Sequence, residues 1–182
     1  ALPMLPAIHE LRFKTDAKPL QVVRRSDTNV RHFALGFREF LQKHFAHQLE
    51  ECDATGAPVS GSLTDGTPYR VLPADMEQPP AGREVEQEDP YLTLSCGNLH
   101  LASKTIYSHE IYSRGSVRLG KESSLRAALA EQSIYLADGC TSFRWLHAGA
   151  EIHAGAGCSL YGRVSADRLI RLDDDCAFER LH

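Results

Sequence analysis

The sequence predicts a mainly β chain whose second half winds into a short triangular parallel β-helix, preceded by a small α+β module. Three observations carry this expectation. Cys140, Cys158 and Cys176 are spaced by eighteen and eighteen residues. An unbroken series of apolar residues recurs at every sixth position, and a proline- and acid-rich stretch separates these repeats from an amphipathic segment upstream.

Along the chain, Leu20–Arg24 has the β-branched content of a short strand. Ser26, Asp27, Thr28 and Asn29 form a helix-start cluster that offers side-chain oxygens to unpaired N–H groups. From Val30 to about Glu51 the apolar residues return at helical spacing, with Val30, Phe33, Ala34, Phe37, Phe40, Leu41 and Phe45 on one face. This stripe is read as packing on the repeats or on the neighbouring hairpin. Asp65-Gly66 lies between two short runs, a hairpin signal, and Pro68 places the second run at an edge. Residues 1–72 thus form the α+β module, and residues 73–90, with Pro73, Pro79, Pro80 and Pro90, form a linker.

The β-helix spans 91–182. Its inward ladder is Ile134, Cys140, Leu146, Ile152, Cys158, Val164, Ile170 and Cys176. Two residues later stand Leu136, Ser142, Ala148, Ala154, Leu160, Ala166, Leu172 and Phe178. An apolar pair two apart is a short strand with its side chains inward, and three such strands close one coil of about eighteen residues. Upstream the same rule holds in a shifted frame through Leu99, Thr105, Ile111, Val117, Ser123 and Leu129, so one residue is lost between Leu129 and Ile134. About five coils result, a rod of roughly 24 Å at about 4.8 Å per coil. Residues between the inward pairs face solvent; Tyr135, His153 and Arg171 stack there as a candidate interaction face.

Composition is globular, 42% apolar and 24% charged, and a net charge of −4 over 182 residues carries no basic signature for nucleic acid. The chain holds no apolar run long enough to span a membrane. Its opening Ala-Leu-Pro-Met-Leu-Pro without an initiator Met reads as a processed end, so any membrane tether would be a segment missing from this chain. The final residues stop in mid-repeat, as though further coils or a partner followed. Five cysteines without a Cys-x-x-Cys pattern argue against a disulfide framework or zinc site, and the stacked three read as a column of small apolar side chains. His44 and His47 have ligand spacing but no completing Cys or Glu. No catalytic, metal or cofactor constellation emerges, and no Ser-His-Asp set is visible. Hexapeptide-repeat acyltransferases share the sixfold period, yet Arg168, Asp174 and Arg180 are too bulky for their tight corners.

Gly115–Gly120, Ala148–Gly155 and Tyr161–Asp167 pair a Gly or Ala corner with a short aliphatic strand and a polar outward residue between. This grammar resembles the bactofilins, the polymer-forming cytoskeletal proteins of bacteria, over roughly residues 92–182. The resemblance implies a right-handed triangular β-helix, end-to-end self-association without nucleotide or cofactor, and scaffolding in the cytoplasm, at the membrane or in the envelope. The ninety residues ahead of the repeats depart from the family's short tails, and a module packed over the first coil would turn a polymer into a dimer or an adaptor. The expected function is therefore a non-enzymatic scaffold whose partner is itself or an envelope or membrane protein. The alternative is a carbohydrate- or envelope-binding solenoid using the Tyr135, His153 and Arg171 face.

Overall fold

The computed structural model describes residue 29, residues 31–76 and residues 87–182. The predicted strand at Leu20–Arg24 and Val30 of the helical stripe lie outside the described residues. One helix, α1 (His32–Thr55), precedes a hairpin of β1 (Val59–Ser62) and β2 (Pro68–Leu72), then β3 (Gln87–Asp89). Coils follow from β4 (Leu92–Ser95), β5 (Leu99–Leu101), β6 (Thr105–Ser113), β7 (Val117–Leu119), β8 (Ser124–Ala130) and β9 (Ile134–Leu136). They continue through β10 (Thr141–Ala148), β11 (Glu151–Ala154), β12 (Ser159–Ala166), β13 (Leu169–Leu172) and β14 (Ala177–Leu181). The larger sheet runs β1-β2-β4-β6-β8-β10-β12-β14 with β3 on β6, and the smaller runs β5-β7-β9-β11-β13. Every pairing is parallel except β1 with β2. The result is a parallel β-solenoid of about five coils.

Each coil is one long strand bent over a corner and one short strand. The period fixes what lies inside. Leu99, Val117, Ile134, Ile152 and Ile170 stand in register in one column, and Leu101, Leu119, Leu136, Ala154 and Leu172 in the next. Of the predicted ladder, Ile134, Cys140, Leu146, Ile152, Cys158 and Val164 are buried, whereas Ile170 and Cys176 in the last coil are half-buried.

The lost residue lies elsewhere than the sequence predicts. Ala128 pairs with Leu146, and Leu125 with Ser142, while Ala127 faces Trp145, so β8 is one residue short at its corner, at Arg126. A second contraction stands at Glu179, where Leu160 faces Phe178 but Arg163 faces Arg180. Ala128, not Leu129, is therefore the inward residue. The apolar pattern hid this because the outward side of the strand is apolar too: Leu129 packs under α1.

A second column sets another corner. Lys104, Glu122, Gly139, Gly157 and Asp175 all adopt left-handed φ, from 53° to 70°. In that conformation each N–H points along the rod. Lys104 donates to Lys121 O, Glu122 to Asp138 O, Gly139 to Ala156 O and Gly157 to Asp174 O at 2.9–3.0 Å, which ties successive corners together.

The hairpin is continuous with the solenoid through β2 and β4. β2 lies between β1 and β4, so Pro68 is not at the sheet edge; as the first residue of its strand it leaves the parallel pairing with β4 to begin at Tyr69. Gln87–Asp89, read as linker, is a strand on β6, and Arg70 reaches across to Asp89 with its guanidinium. The helix extends to Thr55, ending where Gly56 takes a left-handed φ of 65° and donates to Cys52 O. Its buried stripe is Ala34, Leu41, Phe45, Leu49 and Cys52. Phe33 of the predicted stripe is 44% exposed, because the stripe that meets the sheet is rotated toward Leu49 and Cys52.

Two changes test this register. Val164→Asp puts an unpaired charge inside the rod and should abolish the cooperative thermal melt, at a cost of several kcal/mol. Gly157→Ala meets open space, so only the backbone conformation resists it; a loss of about 1–2 kcal/mol in urea unfolding is expected.

Candidate functional site

The most organised surface of the molecule is the seam between α1 and the solenoid. Its apolar part comprises Leu41, Phe45 and Leu49 of the helix against Val71, Leu92, Leu94, Tyr112, Leu129 and Trp145, the outward residues of successive strands. Phe37 meets Trp145 edge-on at 5.6 Å, and Phe45 meets Tyr69 at 4.9 Å. Along one corner of the solenoid this packing gives way to charge. Arg31 reaches Asp167 at 2.8 Å, Arg38 grips Glu131 with two bonds of 3.0 and 2.8 Å, and Asp53 faces Arg114 at 3.4 Å. The helix thus starts over the last coils and ends over the first. These pairs are partly exposed, so they fix the helix's direction more than they stabilise it. Glu131's hydrogen bond also holds the Arg38 guanidinium above its ordinary range.

At the start of this seam a polar cluster is sealed. His147 is 2% exposed and its Nδ1 lies 2.9 Å from Ser165 Oγ. Ser165 Oγ also lies 3.4 Å from Leu146 O, and which partner donates in the shorter contact with Nδ1 depends on the imidazole tautomer. Nε2 has no hydrogen-bond partner and sits 3.9 Å from Asp167, which is engaged by Arg31. Burial pushes the imidazole pKa down, and Arg38 and Arg31 add to this against Asp167 and Glu131. Ser165, His147 and Asp167 are the three residue types of a nucleophilic triad, which the sequence reading did not find. The eighteen-residue step from His147 to Ser165 is the signal that could have shown it. Ser165 meets Nδ1 while Asp167 lies 3.9 Å from Nε2, and the cavity beside them, under Phe33 and Ala34, is small.

The residues predicted to stack on the solvent side of the smaller sheet do stand in one column. Arg118, Tyr135, His153 and Arg171 stand in register on the smaller sheet, with His100 below them. Arg118 lies over the Tyr135 ring at 4.3 Å, and His153 Nε2 is 3.1 Å from Asp173. The column is half-buried to exposed. A groove of about 370 Å³ opens on the opposite side, floored by Phe37, Phe40 and Leu92 and rimmed by Asp65, Glu110 and Arg126. His44 packs on Phe40, and His47 faces Glu51 one turn on.

Inside the rod the cysteines do more than fill space. Cys140, Cys158 and Cys176 donate to the corner carbonyls of Gly120, Ala137 and Gly155 at 3.1–3.2 Å, and Ser123 donates likewise to Ala102 at 3.0 Å. The column is a donor ladder, and the serine at its head was the clue. Contact with Cys140 and burial hold the Cys158 thiol above its ordinary range, consistent with a protonated donor.

His147 makes stability depend on pH. Its folded pKa lies below the unfolded value of about 6.5, so the unfolded chain takes up the proton first. Stability should hold above that value and fall as pH drops through it. Urea midpoints at pH 7.5 and 5.5 should differ more in the native protein than in His147→Asn; an equal difference would remove His147 from the account.

No protein-family model matches the chain, and neither the curated proteins nor the solved structures contain a significant match to it.

Proposed function

We propose that this protein is a structural scaffold that pairs with a second copy of itself through the last coil of its solenoid. The observation that carries the reading is the inequality of the two ends. At the first, β1 closes the large sheet as a short antiparallel edge with Ser60 and Ser62 exposed, and Leu99 and Leu101 of the edge strand β5 are buried. At the other, β13 and β14 are the outermost strands of their sheets. There Leu169 is 44% and Phe178 54% exposed, and Ile170, Leu172 and Leu181 are half-buried. Unpaired strand edges beside an apolar rung are a template for another chain. Among the described residues this end alone offers both features, and the reading is therefore pairing of two copies through it. The bactofilin resemblance supports self-association through coil ends and rests on repeat grammar alone.

Light scattering on the purified chain should show mass doubling with concentration. Ile170→Lys, at the open rung, should keep the melt and shift the protein to monomer. A wild-type protein that stays monomeric throughout, or a variant that pairs equally well, would overturn the proposal.

The in-register column of Arg118, Tyr135, His153 and Arg171 favours a second reading, binding of an extended glycan along this face. Aromatic and arginine side chains at a repeat of about 4.8 Å suit a linear polymer. A glycan array with no hits, or hits insensitive to Tyr135→Ala, would exclude it.

A further inference from the structure

The five cysteines fall into two groups, and the second was not visible in the sequence. Three belong to the inward donor ladder. The other two, Cys52 and Cys96, are 44 positions apart and meet across the helix–solenoid seam. Cys52 is fully buried in the last turn of α1, and Cys96, directly after β4, is 9% exposed. The Cys96 thiol donates to Leu49 O at 3.4 Å, the helix backbone one turn before Cys52. Burial and the neighbouring Cys52 thiol together raise the Cys96 pKa. Cys52 in turn donates to Val71 O, on β2, at a long 3.7 Å. All five thiols are free.

We propose that Cys52 and Cys96 are an oxidation site, a disulfide that staples the end of α1 to the first coils. Both thiols stand on elements that the apolar seam already fixes, Cys96 against the helix backbone one turn before Cys52, and each is held only by a long, weak contact. The ladder cysteines are less suited. Their hydrogens go to acceptors at 3.1–3.2 Å, shorter than the contacts of Cys52 and Cys96, and three in a row leave one unpaired.

The chemistry needs a disulfide oxidant, of which oxidised glutathione is the simplest. One cysteine thiolate attacks it, releasing one reduced glutathione and leaving a mixed disulfide. The second thiolate then displaces the other glutathione. Two thiols lose two protons and two electrons, and one glutathione disulfide becomes two thiols. Burial, with the Cys52 contact, pushes the Cys96 thiol up to about 12, so little thiolate is present at neutral pH. The reaction is therefore slow in the closed protein and runs as the chain folds, or when the last turn of α1 opens. This inference does not depend on the self-association reading.

The experiment is to refold the full chain in a mixture of oxidised and reduced glutathione, alkylate it in denaturant, and map its peptides by mass. The expected result is two of five cysteines protected, joined as Cys52–Cys96, with the urea midpoint raised and returning to the reduced value on addition of a thiol. Cys52→Ser should leave all its remaining cysteines alkylated; if that variant does not fold, the wild-type map decides alone. Five alkylated cysteines in refolded protein with native circular dichroism, or a bridge among Cys140, Cys158 and Cys176, would overturn the proposal.

Discussion

The structure depends on one constraint, the hydrogen bonding of each coil's backbone to the coils on either side. Parallel strands stacked this way force like positions into columns, so the side chain at one position must tolerate its counterpart about 4.8 Å above and below. Leu99, Val117, Ile134, Ile152 and Ile170 satisfy this as an aliphatic column. Where the constraint bites hardest, at the corners, the chain uses left-handed residues and inward donors. Gly139 and Gly157 accept that conformation without strain, whereas Lys104, Glu122 and Asp175 are L-residues held in it. The Ser123, Cys140, Cys158 and Cys176 ladder returns a donor to carbonyls that the turns would otherwise leave inside without one.

A rod of about five coils also has an outside, and here one face of it is covered. Helix α1 lies on the outward residues Leu94, Tyr112, Leu129 and Trp145, so the middle strands of the large sheet are buried on both sides. The price of that second layer is a seam into which polar groups are sealed, and His147 is the clearest of them. The same seam brings together pairs that the sequence keeps far apart: Arg38 with Glu131, Arg31 with Asp167, Cys52 with Cys96.

Periodicity made the solenoid legible, because a stacked coil repeats its demands and eighteen-residue spacing prints them along the chain. Register was harder to read. Ala128 and Leu129 are both apolar, one facing the rod interior and the other facing α1, and alternation cannot separate two buried faces. The hairpin was legible from Asp65-Gly66, whereas its pairing with β4 and that of Gln87–Asp89 with β6 were obscured, since segments with the composition of turns and linkers carry no mark of those partners. The column of Tyr135, His153 and Arg171 was readable from spacing. The eighteen-residue step also holds the His147–Ser165 contact, but the surroundings of Cys52 depend on how the helix lies across the coils and were not readable.

Native-state hydrogen exchange tests most directly whether inter-coil stacking carries this fold. Amides of the doubly stacked coils, such as those of Val117–Leu119 and Ile134–Leu136, should be the slowest, with protection falling toward Ala177–Leu181 at the open end. Helix α1 should exchange faster than the strands it covers, since it depends on them and they are also held by one another. A helix protected as strongly as those inner coils, with the coils exchanging as readily as the last rung, would contradict the account.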